Sequence, residues 1–485
     1  MQNLEQILKN IDVVSVQGST EIRVGNICFD SRKAVANDIY IAIRGNNTDG
    51  HNYIPDVIER GVKAIVCEVF PADKRNDCCY IKVEDSQKAL ALMASNFYNN
   101  PSQSIKLIGV TGTNGKTTIA TLLYHLFTDL GYKCGLISTI NTYIAEKEGV
   151  ATHTTPDSLQ INSLLSEMVD VGCEYAFMEV SSHSTVQKRI DGLSFCGGIF
   201  TNITHDHLDY HKDFKSYIDA KRAFFDKLPT TAFALINIDD KNGKIMVQNT
   251  KAGIHTYGIK SQADFKAKIL ESHFTGNLLQ IGNKELWTRL PGIFNTYNIL
   301  AIYGTAILLG ADDEQVLKSL SRQESVSGRF QIIRSPKGLT SIIDYAHTPD
   351  AVENVLRTIR DIRKSGQRII TIIGAGGNRD KTKRPVMARI AAELSDKVIL
   401  TSDNPRNEDP VEILNEMKEG LNTELMERVI SITDRKEAIK AACAFAEKSD
   451  IILVAGKGHE KYQEIQGKRY PFDDSELVKK CLENK

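Results

Sequence analysis

The stretch Ile105-Lys-Leu-Ile-Gly-Val-Thr-Gly-Thr-Asn-Gly-Lys-Thr-Thr118 decides the fold class, because an apolar run breaks into a glycine-rich turn ending in Gly115-Lys116-Thr117. That order predicts a buried strand, a phosphate-binding loop and a helix. Small residues let successive backbone N–H groups face phosphates, Lys116 adds a point charge, the Thr117 hydroxyl suits Mg²⁺, and the helix aims its positive end inward. The usual pattern has a glycine five positions before Gly115, where this chain has Val110, with glycines at 109 and 112 instead. The segment therefore reads as a variant nucleotide-triphosphate loop in an α/β protein. A strand-to-helix turn with an incidental lysine is the plain alternative, but strand, glycines, Lys-Thr and helix occur here in order.

The chain has 485 residues, too many for one ordinary core, and length alone implies about three domains. Hydrophobic residues at 41%, charged residues at 25% and a net charge of −1 are those of a soluble globular protein and point to neither nucleic acid nor membrane. Nine scattered cysteines, without metal-ligand spacing apart from the adjacent Cys78 and Cys79, read as reduced thiols. The first ten residues read as a short amphipathic helix rather than a signal peptide, and the apolar run from Ile299 to Leu309 is too short to span a bilayer. The expected compartment is the cytoplasm, and the expected state a monomer.

A break is expected at Asn99-Asn100-Pro101-Ser102, after a helical pattern from Gln87 to Tyr98, and a second near Phe330 after Ser325-Val-Ser-Gly-Arg. These give domains at 1–100, 101–330 and 331–485. In the last, apolar runs at 341–344, 368–374, 397–401 and 450–456 alternate with helical patterns, and the middle one repeats the alternation with 175–180, 198–203 and 233–238. Both are expected to form parallel sheets flanked by helices. Polar clusters follow directly on the apolar runs: Ser181-Ser-His183, Thr204-His-Asp-His207, Ala375-Gly-Gly-Asn-Arg379, Ser402-Asp-Asn-Pro-Arg406 and Lys457-Gly-His-Glu460. Ligands of open parallel sheets bind beyond the carboxyl ends of the strands. Five clusters in that position are expected to converge on two facing rims, one per sheet, with a cleft between domains.

Glu179 ends an apolar strand where a carboxylate meets the Mg²⁺ of a phosphate loop, and His207 is a second candidate ligand. The density of imidazole and carboxylate from Thr204 to His211 raises zinc, but no cysteine or HExxH spacing accompanies it, and ATP chemistry calls for a hard cation. A hydrogen-bonded structural role for any single histidine stays open. Lys221 reads as a solvated helix lysine. Arg379 and Arg406 are suited to bidentate carboxylate recognition, and with Asp403, Asn404 and Glu460 they would hold both ends of a zwitterion; ordinary surface ion pairing is the alternative.

The ordered set of motifs resembles the Mur ligases, and most closely those that add the third residue to the muramoyl peptide of peptidoglycan precursors. The marks are Asp30-Ser-Arg32, Gly112-Thr-Asn-Gly-Lys-Thr-Thr118, Thr154-Thr-Pro156, Glu179-Val-Ser-Ser-His183, Asn202 through His211, Asn295 within Pro291-Gly-Ile-Phe-Asn-Thr-Tyr-Asn298, Asp344-Tyr-Ala-His347, Gly377-Asn-Arg-Asp-Lys381, Asp403-Asn-Pro-Arg406 and Gly456-Lys-Gly-His-Glu460. They span nearly the whole chain, and the variant phosphate loop is the family's own. The resemblance implies three domains: an N-terminal α/β domain for a uridine nucleotide, a central ATP-binding domain with a mostly parallel sheet, and a C-terminal Rossmann-like domain for an amino acid.

By the same resemblance, Ser31, Thr154, Thr155, Ser181, Gln187 and Arg189 contact UDP-N-acetylmuramoyl-L-alanyl-D-glutamate. Gly112, Thr113, Asn114, Gly115, Lys116, Thr117 and Thr118 cradle ATP, and Asn295, Arg329 and Asp344 surround it. Thr117, Glu179 and His207 serve two Mg²⁺ ions together with Lys221, whose match in the family is carbamylated (N6-carboxylated). Arg379, Asp403, Asn404, Pro405, Arg406, Gly456 and Glu460 form a pocket for meso-2,6-diaminopimelate, because members that use it carry Asp-Asn-Pro-Arg whereas lysine-adding members typically lack that arginine. After Ser138-Thr139 the chain reads Ile-Asn-Thr where relatives often have valine-glycine. The implied reaction is stepwise: a carboxylate attacks the γ-phosphate of ATP, and the amine then attacks the acyl phosphate. Domain closure is expected to assemble the site. L-Lysine or another diamino acid as the added amine, a folate polyglutamate ligase and a regulatory P-loop NTPase are the alternatives.

Overall fold

The computed structural model describes residues 1–45, 48–204, 206, 208–211, 213–336 and 338–483. Three large sheets follow one another along the chain. The first has five strands, with Ile27–Cys28, Ile39–Ile41, Ala64–Cys67 and Cys79–Val83 in parallel and Val13–Gln17 antiparallel at one edge. The second has eleven strands, seven of them parallel, in the order Cys134–Ile137, Tyr175–Glu179, Lys106–Thr111, Phe195–Phe200, Phe233–Asn237, Gly253–Gly258 and Phe265–His273. Antiparallel strands extend it at both edges. The third has six strands, with Thr340–Asp344, Ile451–Ala455, Ile369–Ile373, Lys397–Leu400 and Val429–Ser431 parallel.

Parallel strands covered by helices on both faces must be largely apolar, and the central ones are, such as Lys106–Thr111, Tyr175–Glu179 and Ile369–Ile373. Leu107, Ile108 and Val110 of the phosphate-loop strand are fully enclosed, with Ile108 and Val110 packed on one face and Leu107 on the other. The strands expected from the apolar runs all form within a few residues of their expected bounds. The amino-terminal segment differs: only Leu4–Ile7 is helical, because Gln2 and Asn3 pair with Val24 and Arg23 as a short strand. The helix Ser86–Phe97 ends as expected, at Asn99 and Asn100, both left-handed, just before Pro101.

Helix ends show where the fold leaves room for a ligand. Asp85, Asp157 and Asp213 cap the helices Ser86–Phe97, Ser158–Asp170 and Phe214–Asp226 by accepting backbone N–H groups. The helix Lys116–Asp129 begins instead at Gly115, with no side-chain cap. Its first N–H groups are the orphans that an anion satisfies.

In the third sheet, a wholly buried ion pair ties together the loops beyond three parallel strands. Arg435 and Asp474 are both 0% exposed and meet at 2.8 and 2.7 Å, while Arg435 also donates to the carbonyls of Ala455 at 3.0 Å and Ser402 at 3.4 Å. Removing one partner leaves an uncompensated buried charge. Arg435→Met should lower the unfolding free energy by about 3–5 kcal/mol in guanidinium titration, and the Arg435→Met/Asp474→Leu double variant should recover much of the loss. Equal stability of wild type and single variant would refute this account.

Candidate active site

The phosphate loop is braced by its own lysine, by a second from a neighbouring helix and by the neighbouring strand end. Lys116 Nζ donates to the carbonyls of Gly112 at 3.0 Å and Thr113 at 2.8 Å, and Lys221 Nζ donates to the same Gly112 carbonyl at 2.7 Å. Gly112 has φ +147°, and a Cβ there would lie 1.9 Å from Thr201 Oγ1, so no side chain fits. Asn202 braces the loop from both sides: its carbonyl accepts from Thr113 N at 2.8 Å and its Oδ1 from Asn114 N at 3.0 Å. Desolvation lowers the pKa of Lys116, opposed by Glu179 and Asp206.

Glu179 closes the strand Tyr175–Glu179 and is 0% exposed. Its Oε2 accepts from Thr117 Oγ1 at 3.0 Å, and its Oε1 accepts from Thr139 N at 2.7 Å and lies 2.9 Å from Thr139 Oγ1. Thr117 and Glu179 thus offer hydroxyl and carboxylate oxygens side by side, the hard donors that Mg²⁺ takes, with phosphate oxygens left to complete the shell. Among the described residues no group of three or more His, Cys, Asp or Glu gathers as a metal cluster. His207, the other expected ligand, lies outside the described residues.

Lys221 is not a solvated helix lysine. It sits 1% exposed on the helix Phe214–Asp226, over the ring of Tyr217 at 4.7 Å. Burial drives its pKa well below 10.5, Lys116 pushes the same way, and Asp206 opposes both. The sequence hides this, because only the tertiary fold turns that helix face toward the phosphate loop.

A cleft of about 720 Å³ runs from the phosphate loop to the third sheet, lined by Lys116, Thr117, Thr154, Glu179, Asp206, Arg329, Asp344 and Asp350 among others. Asp344 accepts from Phe330 N at 2.7 Å and Ala346 N at 2.8 Å, and burial raises its carboxyl pKa to about 6 against the pull of Arg329. Arg329 lies 4.4 Å over the Tyr345 ring and reaches Thr117 Oγ1 at 3.3 Å. Asp350, on the first turn of Pro349–Ile362, accepts from Asn114 Nδ2 at 2.9 Å. Asn295 does not line the cleft: it is buried, donates to the Pro291 carbonyl at 2.8 Å and accepts from Asn298, which does line it.

A second cleft, about 840 Å³, opens between the first and second sheets and is lined by Ser31, Arg32, Tyr53, Asp157, Gln187, Arg189 and Tyr210. Arg189 donates to Gln187 Oε1 at 3.0 and 2.6 Å and to the Thr155 carbonyl at 2.8 Å. The Thr155 hydroxyl is buried, donating to the Glu179 carbonyl at 2.7 Å and accepting from Ser181 N at 3.0 Å. Thr154 Oγ1, 3.1 Å from Thr139 Oγ1, faces the nucleotide cleft.

The C-terminal cluster does assemble, but apart from the phosphate loop. Asn404 Nδ2 donates to Glu460 Oε2 at 2.7 Å, and Arg406 NH1 donates to the Gly377 carbonyl at 2.7 Å with Nε 3.7 Å from Glu464. Gly456, at φ +114°, passes so close to Asp403 that a Cβ would lie 2.4 Å from its Oδ2. Pro405 is buried, and its carbonyl would lie 1.9 Å from a Cβ on Gly377. Arg379 is exposed on the 376–379 loop. At the centre lies Lys457, fully enclosed, whose place inside a Gly-Lys-Gly run carries no sequence signal for burial. None of these residues lines the nucleotide cleft, whose C-terminal wall comes from 344–361 instead. The two rims of the expected single cleft are therefore separate features.

Comparison with known proteins follows this division. The chain matches the Mur ligase family catalytic domain over residues 23–98, the Mur ligase middle domain over 110–306 and the Mur ligase glutamate ligase domain over 328–458. It is 54% identical over 481 residues, 99% of both chains, to the UDP-N-acetylmuramoyl-L-alanyl-D-glutamate–2,6-diaminopimelate ligase of Cytophaga hutchinsonii. It is 42% identical over 487 residues, again 99% of both, to the ligase of that name from Clostridioides difficile. A solved structure of a ligase so named superposes with a TM-score of 0.70 at 30% identity, covering 99% of this chain and 98% of that one. The fold alone is shared with folylpolyglutamate synthase from Mycobacterium tuberculosis, at TM-score 0.61 and 18% identity over 77% of this chain and 92% of that one. With all three family domains in order and relatives aligned from end to end, the chain belongs to the Mur ligase family.

Proposed function

We propose that the chain is a cytoplasmic, monomeric ligase that uses ATP to join meso-2,6-diaminopimelate to UDP-N-acetylmuramoyl-L-alanyl-D-glutamate in peptidoglycan precursor synthesis. Residues 1–100, 101–330 and 331–485 bind the uridine nucleotide, ATP and the amino acid in turn. The observation that carries the reading is the 403–406 turn, where Arg406 and the Asn404–Glu460 pair are held on one set of loops. A guanidinium and a carboxylate presented together match a substrate end bearing both a carboxylate and an ammonium, and the full-length relatives bear the corresponding name.

Ser31, Gln187 and Arg189 hold the muramoyl dipeptide in the second cleft, Ser181, which lines neither cleft, is tied to the Glu179 carbonyl through the Thr155 hydroxyl, and Thr154 faces the reacting end of the dipeptide. The phosphate loop and the open N-terminus of Lys116–Asp129 receive the triphosphate, and Arg329, Asp344 and Asn298 shape the nucleotide wall, with Asn295 behind it orienting Asn298. The terminal carboxylate oxygen attacks the γ-phosphorus, the bond to ADP breaks, and an acyl phosphate forms. The substrate amine then attacks the acyl carbon, a C–N bond forms, inorganic phosphate leaves and the amine gives up a proton. Lys116 offsets repulsion between the carboxylate and the triphosphate. Thr117 and Glu179, with His207, would hold Mg²⁺, which when bound neutralises phosphate charge. Because the amino-acid cluster lies off the nucleotide cleft, the C-terminal domain closes on the central one before amine attack.

A neutral Lys221 amine is a nucleophile for CO₂: its nitrogen bonds the carbon, a proton is lost to solvent, and the side chain becomes an anionic carbamate able to support a second Mg²⁺. In ¹³C-bicarbonate the wild type should show a carbamate resonance absent from Lys221→Met, and that variant should be inactive. The linkage has a definite sign. A lysine with a depressed folded pKa contributes its stability above 10.5 and loses it as pH falls toward the folded value. In CO₂-free buffer Lys221→Met should therefore gain on wild type by about 1.4 kcal/mol per pH unit across that window; a pH-independent gap would mean that the amine is charged in the fold.

Phosphate release should require ATP, the muramoyl dipeptide nucleotide and diaminopimelate together, with L-lysine inactive in its place. Arg406→Ala should cut the preference for diaminopimelate by ~100-fold, about the 3 kcal/mol of a charge-assisted pair, with KM for ATP unmoved. Release with lysine would keep the ligase and sink its specificity. Release with ATP alone would indicate an NTPase.

A further inference from the structure

At the centre of the amino-acid cluster, Lys457 makes contacts that choose how its neighbours face a substrate. Its side chain is 0% exposed, with Nζ 2.9 Å from Asn404 Oδ1, 3.2 Å from Glu460 Oε2 and 3.9 Å from Asp403 Oδ1. A carboxamide can present either end, and here two donors fix the choice. Lys457 Nζ and the backbone N–H of Glu464, each 2.9 Å away, both require an oxygen at Asn404 Oδ1. The NH₂ end must then point at Glu460 Oε2, where it donates at 2.7 Å. A flipped amide would set its NH₂ against an ammonium and an N–H, and would leave Glu460 without that donor.

Charge follows the same logic. Asp403 and Glu460 carry two negative charges around one buried cation, while the nearby Arg435 is neutralised by Asp474. With Arg406 offset by Glu464 at 3.7 Å, the cluster is left one charge negative, enough for a single ammonium. Without Lys457 it would be doubly negative and would repel a substrate carboxylate arriving beside Arg406.

We propose that Lys457 is a positioning and specificity-determining residue for the amino-acid substrate: it orients the Asn404 carboxamide and the Glu460 carboxylate and sets the pocket's charge for a zwitterionic end. This rests on reading the 403–460 cluster as the diaminopimelate pocket. Lys457 itself touches no substrate; it acts through Asn404 and Glu460.

The test is steady-state phosphate release by the full-length enzyme with ATP and the muramoyl dipeptide nucleotide saturating. For Lys457→Met, KM for diaminopimelate should rise at least ~10-fold, kcat should stay within about threefold, KM for ATP should hold, and the preference over L-lysine should fall. An unchanged KM for diaminopimelate would overturn the proposal, as would a uniform fall of kcat, of affinity for every substrate and of the thermal midpoint. If the single variant does not fold, Glu460→Gln and Lys457→Met/Glu460→Gln are compared, since the second removes the stranded carboxylate charge with the cation. A double variant no worse in KM than Glu460→Gln supports action through Glu460, and additive losses refute it. A wild type that turns over without diaminopimelate would sink the substrate reading, and this inference with it, before any variant is made.

Discussion

The buried carboxylate of Glu179 is the constraint on which both clefts depend. A carboxylate with no exposed surface stands only where donors surround it, and Thr117 and Thr139 supply them from two other segments. One of those segments is the first turn of the phosphate-loop helix. The backbone carbonyl of the same residue receives the Thr155 hydroxyl, which in turn holds Ser181 N. A single strand end therefore fixes the nucleotide loop on one side and, through Thr155, whose carbonyl accepts from Arg189, a lining residue of the neighbouring cleft on the other. The register of Tyr175–Glu179 beside Lys106–Thr111, with Glu179 opposite Val110, makes this possible, because a one-residue slip would turn the carboxylate to the other face.

Much of this was legible in the sequence because parallel strands and phosphate loops leave local signatures. Apolar runs broken by glycine and polar residues located the strand ends, and Glu179 was recognisable as the last residue of one. Lys221 was not, since a lysine beside Asp219 and Arg222 on an amphipathic helix looks solvated until the fold brings Gly112 and Lys116 against it. Asn202 stands in a recognised motif, but its bracing of the phosphate loop is silent, as is the hold of Thr139 on Glu179, because the partners are distant in sequence. Asn295 and Asn298 show the limit of motif reading: both stand in one motif, yet helix geometry turns Asn298 to the cleft and Asn295 to the Pro291 carbonyl. The N-terminal helix shortened for a reason no local pattern carries, the pairing of Gln2 and Asn3 with a strand twenty residues on.

Electrostatics around the phosphate loop are arranged for a ligand more negative than anything the chain supplies. Lys116 and Lys221 converge on one carbonyl, the uncapped helix adds its positive end, and desolvation lowers both lysine pKa values. Two ammonium groups so close repel in a low dielectric, and that repulsion adds to burial in lowering the pKa of Lys221. The more enclosed Lys221 is the one driven well below its ordinary value. Loop architecture thus places two identical side chains differently, Lys116 on the wall of the cleft and Lys221 enclosed behind it.

The amino-acid cluster solves a different problem, because it is built on loops rather than on strand interiors. Its rigidity comes from arginines buried beneath it. Arg384, fully enclosed, donates to Glu408 at 2.8 and 3.0 Å and to the Gly376 carbonyl at 3.1 Å, and Glu408 also accepts from the backbone of Asn378. This fixes the 376–379 and 403–408 loops to each other, while Arg435 fixes the loops beyond Ser402 and Ala455. Buried ion pairs contribute little net stability against well-packed apolar side chains, since desolvation offsets most of their attraction. Their geometry is directional, however, and a recognition site must hold its groups to within about half an ångström. Leucine or methionine in place of these arginines would pack the same space without specifying where Asn404, Arg406 and Glu460 point. That need for direction, rather than a need for stability, accounts for so many enclosed charges beneath this one pocket.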